Sequence, residues 1–293
     1  MDRNYIFHES TQSLCNECLK LISAKIIFED NKVYILKYCP EHGEQKELYE
    51  DNIDYYLKKR EYDKPGTKSA ITIPRNKGCP YDCGLCEEHD QHTCIGLIEI
   101  NQNCNLDCEM CFAKESEPNN ISLEKAEEIM NFYQRSENNN AEILQISGGE
   151  PTLHPQVLEI IALAKEKKFK HIMLNTNGLR IAEDEEFIKE LSKFKGGFEI
   201  YLQFDSFLDD NHKKLRGRNL KEVKEKAIEN LCKYEIPITL VSTIEKEVND
   251  KEIGDIIFYG INKKYIRGIN FQPRAYYEKE NICRKDRITL SGK

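Results

Sequence analysis

The stretch IGLIEINQNCNLDCEMC, residues 95–111, joins a strand-like apolar run to three closely spaced cysteines. Ile95–Ile100 reads as a strand, and Cys104, Cys108 and Cys111 follow it in the spacing CxxxCxxC. An amphipathic helical pattern over Ser122–Arg135, with Ser122 as N-cap, comes next. Three thiolates on one short loop can hold three corners of a four-iron cluster. A closed cubane takes four, so one iron stays open for an outside ligand, by the same logic that governs catalytic zinc. A zinc knuckle is the competing reading, but zinc prefers four ligands and paired CxxC spacing.

Working outward, apolar runs alternate with helical periods to the end of the chain. Further strands are expected near Ile143–Ser147, His171–Asn175, Glu199–Phe204, Pro237–Ile244 and Arg267–Gln272. Helices are expected near Pro155–Lys168, Asp184–Phe194, Leu220–Tyr234 and Lys251–Asn262. This alternation predicts an α/β fold of parallel βαβ units. Six units make a partial (βα)6, TIM-like barrel over residues 95–293, whose chemistry belongs at the C-terminal ends of the strands.

Polar motifs stand at those ends: Ser147-Gly148-Gly149-Glu150-Pro151, Asn175-Thr176-Asn177-Gly178, Gln203-Phe204-Asp205-Ser206, Ser242-Thr243 and Gln272-Pro273. The glycines let backbone approach a ligand closely, and Glu150 offers a carboxylate to an ammonium group. His212–Arg218 follows the fourth strand and reads either as cations at the mouth or as a solvated charge run.

Towards the N-terminus lie more metal-ligand patterns. Cys79, Cys83 and Cys86 repeat CxxxCxxC within a Pro/Gly-containing segment, residues 63–94, that reads as linker plus auxiliary cluster. Cys94 is the first candidate for its fourth ligand, with His89 and His92 as alternatives. Cys15, Cys18, Cys39 and His42 form a CxxC and CPxH set around two expected strands, Lys25–Asp30 and Lys32–Tyr38. That set, in a module over residues 1–62, suits mononuclear zinc or rubredoxin-like iron. Cys232 reads as core, and Cys283 is left open.

Twelve cysteines, ten of them before residue 112, read as metal ligation and not as a disulfide framework. The net charge of −8 and the lack of a basic face argue against a nucleic-acid partner. With no apolar run long enough to span a bilayer and no signal-peptide core, a cytoplasmic location is expected; peripheral membrane contact stays open.

The CxxxCxxC loop followed by GGEP and NTNG resembles the radical S-adenosylmethionine (SAM) superfamily. The order CxxC, CPEHG, GCPYDCGLC, QHTCIGLIEI, CNLDCEMCFA, SGGEPTLHP is similar to the archaeal tetraether lipid synthase group and the related methanopterin-pathway methylases. Met110 replaces the aromatic residue usual before the third cysteine. The resemblance implies an enzyme in which a [4Fe-4S] cluster on Cys104, Cys108 and Cys111 binds SAM and cleaves it reductively to a 5′-deoxyadenosyl radical. It implies SAM contacts from Gly148, Gly149, Glu150, Asn175, Asn177, Gln203, Asp205, Ser242 and Gln272. It also implies an auxiliary [4Fe-4S] cluster and a ferredoxin or flavodoxin as electron donor. Carbon–carbon bond formation between lipid tails is the first expectation for its reaction, and methylation of a pterin precursor the second. A cluster-bearing electron carrier or inactive fragment, and a zinc-based interaction module, are the readings from other classes. Members of the group are longer, so the chain reads as C-terminally truncated.

Overall fold

The computed structural model describes residues 3–64, 66–78, 82, 84–89, 91–111 and 119–274. The expectations for Cys79, Cys83 and Cys283 therefore lie outside the described residues. The chain divides near residue 65 into two compact units.

The first unit is an antiparallel meander of β1 (Ile6–Leu14), β2 (Leu21–Glu29), β3 (Lys32–Cys39) and β4 (Gly43–Glu50), followed by α1 (Ile53–Arg60). The β2–β3 hairpin turns on Asp30 and Asn31, both at positive φ, as a two-residue turn matched to strand twist requires. Two strands were expected and four are present. The extra pair, IFHESTQSL and GEQKELYE, are the sheet edges, and mostly polar edge strands carry little apolar signal. Ile26, Val33 and Tyr56 form a small core.

The second unit is a parallel sheet in the sequential order β10-β9-β8-β7-β6-β5. Its strands are β5 (Ile95–Glu99), β6 (Ile143–Ser147), β7 (His171–Thr176), β8 (Phe198–Gln203), β9 (Ile238–Ile244) and β10 (Ile266–Pro273). Sequential parallel order with β5 and β10 as edges is the topology of an opened (βα)-barrel. The crossovers carry α2 (Leu123–Ser136), α3 (Val157–Glu166), α4 (Leu179–Glu183), α5 (Glu185–Leu191), α6 (Asp209–Arg216), α7 (Lys221–Lys233) and α8 (Ile253–Ile261).

Side chains alternate between the two faces of each strand. One face supplies Leu144, Ile146, Ile172, Leu174, Ile200, Leu202, Ile238 and Leu240 to the core beneath the helices. From α2, Ala126, Met130 and Tyr133 meet it at i, i+4 and i+7, and the Ser122 hydroxyl caps that helix on the Lys125 N–H (3.2 Å). Burial of this aliphatic layer, at about 25 cal/mol per Å2 of apolar area, is the main driving force holding the sheet to its helices.

The expected strands and long helices are present, with ends displaced by a residue or two. Three helices, α1, α4 and α6, were not expected. In α6, DDNHKKLR opens with acids, closes with bases and stops at Gly217, whose φ of 79° is the left-handed cap. Its high charge masked these boundary signals. No helix among the described residues is long and apolar enough to cross a membrane.

Candidate active site

The loop after β5 carries Cys104, Cys108 and Cys111 and is pinned to the loop after β6 by backbone. The Gly149 N–H donates to Asn101 O (2.9 Å) and the Glu150 N–H to Asn103 O (2.7 Å), while Asn101 Nδ2 donates to Glu150 O (2.8 Å). Only glycine permits this approach. A Cβ on Gly148 would lie 2.3 Å from Asn101 O, and one on Gly149 would lie 2.4 Å from Asn103 O. The glycines were expected to admit a ligand; in the structure they admit the cysteine loop. Just past the end of β7, Asn177 Nδ2 donates to Asn105 Oδ1 (2.7 Å), a third tether.

Cys108 is buried, whereas Cys104 and Cys111 are exposed. Desolvation pushes both the Cys104 and the Cys108 thiol up; the Leu106 N–H on Cys104 and the Arg216 guanidinium beside Cys108 oppose it. The three sulfurs are not gathered as around a single ion. Among the described residues, only Cys15, Cys18, Cys39 and His42 bring their ligand atoms within 4.8 Å of one another. Thiols spread on one loop fit the corners of a cluster better than one tetrahedral ion.

Glu150 also has partners within the protein. Its carboxylate is buried and filled from within: Thr152 Oγ1 (2.6 Å), Thr176 Oγ1 (2.7 Å) and the N–H groups of Thr152 (3.2 Å) and Asn177 (2.7 Å) all donate to it. It joins the ends of β6 and β7, with three of these donors on Oε1 and one, the Asn177 N–H, on Oε2.

Asp205 and Ser242 are likewise turned inward. Asp205 is fully buried and takes two hydrogen bonds from Arg216 (2.8 Å each) and one from the Thr243 N–H (2.9 Å). The Ser242 hydroxyl donates to Phe204 O. Asn177 is also buried, so Asn175, Gln203 and Gln272 are the predicted strand-end side chains left half-buried or exposed.

Sequence reasoning missed the buried cations here. Lys224, on α7, is fully buried and donates to Asn177 O (2.6 Å) and Gln203 Oε1 (3.0 Å); burial pulls its pKa down to about 8. A lysine one turn into a helix gives no sequence sign that it points inward. His212 is buried and the Arg216 side chain is only 11% exposed, which removes the solvated-charge reading for both.

The N-terminal set sits on two turns at one end of the meander, Cys15 and Cys18 between β1 and β2, Cys39 and His42 between β3 and β4. Cys15 Sγ and Cys39 Sγ lie 3.6 and 3.5 Å from His42 Nδ1, and Cys18 Sγ lies 3.9 Å from Cys39 Sγ. With Zn–S of about 2.3 Å and Zn–N of about 2.0 Å, a tetrahedron has edges of about 3.8 Å between sulfurs and about 3.5 Å from sulfur to nitrogen. The residues fit one tetrahedral ion. Burial opposes ionisation of Cys15, but N–H groups of Cys18 and Glu17 and the Gln45 amide hold its thiol at about 6. Of the auxiliary ligands, Cys86 is buried and Cys94 is exposed with Sγ 3.6 Å from His92 Nε2.

Residues 98–259, more than half of the chain, match the radical SAM superfamily. The chain belongs to the radical SAM superfamily. Residues 7–51 match a domain described as the HMPTM N-terminal zinc ribbon. The radical SAM chain is 38% identical over 288 residues to a 7,8-dihydro-6-hydroxymethylpterin dimethyltransferase of Methanocaldococcus jannaschii, covering 96% of this chain and 56% of that enzyme. It is 26% identical over 216 residues to a GTP 3′,8-cyclase of Clostridium botulinum, covering 70% of this chain and 66% of that one. In fold it is similar to Streptococcus suis SuiB bound to S-adenosylmethionine (TM-score 0.55, 18% identity, 63% of this chain and 41% of SuiB). It is also similar to anSMEcpe with bound AdoMet and a peptide (TM-score 0.53, 22% identity, 67% of this chain and 55% of that one).

Proposed function

We propose that this chain carries the radical centre of a methyltransferase acting on a pterin precursor of the 7,8-dihydro-6-hydroxymethylpterin class. The observation that carries the reading is the 38% identity to the dimethyltransferase across 96% of the chain. The chain spans 56% of that enzyme's length, so the whole activity, its substrate and its partners belong to the proposal.

The sheet face opposite the aliphatic core supports a heterocycle. There Gln145 donates to Asn175 (2.7 Å), Asn175 to Ser147 Oγ (3.2 Å) and Thr239 to Glu199 (3.2 Å). Glu199 lies 3.3 Å from His171, and Asn270 meets the Tyr201 hydroxyl. A flat ring edged with donors and acceptors can exchange hydrogen bonds with such a face. Lipid tails would desolvate it without replacing them, at a cost of about 1–3 kcal/mol per unpaired group. The expectation of lipid-tail coupling gives way to pterin methylation on both grounds.

In this reading Cys104, Cys108 and Cys111 hold three irons of the catalytic cluster, which with SAM supplies a carbon-centred radical for hydrogen abstraction. Asn175, Gln203 and Gln272 face the ligands, while Glu150, Asn177, Asp205 and Ser242 brace the loops from behind. Cys15, Cys18, Cys39 and His42 hold zinc; the zinc-ribbon match favours it over iron. Cys79, Cys83 and Cys86, with Cys94, hold the auxiliary cluster, and a low-potential ferredoxin or flavodoxin supplies electrons.

The test is anaerobic incubation of reconstituted protein with SAM, a reductant and 7,8-dihydro-6-hydroxymethylpterin, followed by mass spectrometry. A pterin heavier by one or two methyl groups is expected. Release of 5′-deoxyadenosine with no change in the pterin would contradict the substrate.

A further inference from the structure

Glu199 is a carboxylate with one oxygen in use. On β8 the side chains of Phe198, Ile200 and Leu202 enter the aliphatic core, so Glu199, Tyr201 and Gln203 alternate onto the opposite face. The residue is only 8% exposed. Its Oε1 is met from both neighbouring strands: the Thr239 hydroxyl of β9 donates to it (3.2 Å), and His171 Nε2 of β7 lies 3.3 Å away. Among the described residues, nothing donates to Oε2. Nor is Oε2 one of the unpartnered polar atoms sealed away from solvent, so it stays within reach of a ligand.

The face beside this group is kept low. Gly268 of β10 pairs with Thr239, and a Cβ on it would lie 2.8 Å from Thr239 Oγ1. Glu199 stands four residues before Gln203, the last residue of β8. At about 3.3 Å per residue, that is about 13 Å below the strand ends, where the cysteine loop is held. A flat bicycle docked on Glu199 by one edge therefore extends its other edge towards that loop.

An ionised carboxylate can only accept hydrogen bonds, and a mostly buried one needs donors to offset its lost hydration. A 2-amino-4-oxopyrimidine ring carries two donors side by side, the ring N–H and the exocyclic NH2. They form a planar fork of the kind that suits a carboxylate. In a 6-hydroxymethylpterin this edge belongs to the pyrimidine ring, and the substituted carbon lies on the fused ring at the far end.

We propose that Glu199 is a substrate-recognition residue: Thr239 and His171 hold its Oε1, and its Oε2 accepts from the ring N–H and 2-amino group of the pterin. The inference rests on the pterin reading above. Guanine presents the same edge, so a guanine nucleotide is the second source of this chemistry. A Glu–His pair that served only the fold would be indifferent to the 2-amino group.

The test is anaerobic calorimetric titration of the reconstituted protein with 7,8-dihydro-6-hydroxymethylpterin, with its analogue bearing hydrogen in place of the 2-amino group, and with GTP. Wild type, Glu199→Gln and Glu199→Met are compared, with iron content measured in parallel. Wild type is expected to bind the 2-amino pterin at least about tenfold more tightly than the analogue. At wild-type iron, Glu199→Met is expected to bind the two equally, and Glu199→Gln, which keeps an acceptor, to fall between. Equal affinities in wild type overturn the proposal without any variant having to fold. A preference that survives in Glu199→Met overturns it as well. GTP binding that depends on Glu199, with no binding of the pterin, would support the edge contact and overturn the pterin reading beneath it. Binding of neither would overturn both.

Discussion

The carboxylate of Glu150 accepts the backbone N–H of Asn177 at 2.7 Å, so the acid of the GGEP segment closes the seam between two neighbouring strand ends. With Thr152 and Thr176 donating to its other oxygen, every neighbour of this group is a donor. Glu150→Gln sets an amide NH2 against donors. The ligand-free protein is expected to lose about 2 kcal/mol, the cost of a buried unsatisfied group, or about 6 °C in melting temperature for a domain of this size. Thermal unfolding without SAM checks this. An unchanged melt with lost SAM affinity would return Glu150 to the role of ammonium ligand.

Gly149 makes a parallel point about backbone. Its Cβ would meet Gln102 O at 2.6 Å as well as Asn103 O, and neither atom can swing away. Gly149→Ala is expected to cost about 2–3 kcal/mol and to reduce iron retention at Cys104, Cys108 and Cys111. Gly254 has open space and serves as the control; Gly254→Ala should be neutral or stabilise by up to about 1 kcal/mol. Urea denaturation with iron analysis reads both.

Lys224 predicts a pH signature. Burial lowers its pKa in the folded protein to about 8, below the ordinary lysine value. Between these two pH values the unfolded chain binds more protons, so folding stability should rise as pH rises through that window. The contribution is about 3 kcal/mol, from about 1.4 kcal/mol per pKa unit. The groups around the ammonium that set its titration are Asp205, Arg216, Glu150 and Cys108. Denaturation of wild type and Lys224→Met from pH 7 to 10.5 gives the difference curve. A flat difference would show that Lys224 titrates normally.

The N-terminal site should be separable from the rest. Cys39→Ser is expected to remove one equivalent of metal by elemental analysis and to destabilise the meander, whose own core is small. The iron held by Cys104, Cys108 and Cys111 should stay. Loss of cluster iron in the same variant would contradict independent sites.

The parallel strands were legible because their core face is aliphatic almost throughout, as at Ile172 and Leu174 or Ile200 and Leu202. The edge strands β1 and β4 were not, since polar residues there can face water on both sides. The cysteine loop, GGEP and the N-terminal ligand set were readable from spacing. What spacing could not carry was direction. Glu150, Asp205 and Ser242 look like ligand groups in sequence, yet all three turn into the protein, because their donors and acceptors come from neighbouring strands and helices. Arg216 and Lys224 look like surface charge for the converse reason.

The central claim is that chemistry resides on Cys104, Cys108 and Cys111, and not on Cys79, Cys83 and Cys86 with the same spacing. EPR of the reduced, reconstituted protein with and without SAM, paired with 5′-deoxyadenosine release, tests it in Cys104→Ala and Cys79→Ala. The account predicts that Cys104→Ala loses both the SAM-induced spectral change and the nucleoside, while Cys79→Ala keeps the spectral change. A SAM response that survives Cys104→Ala and vanishes in Cys79→Ala would contradict it.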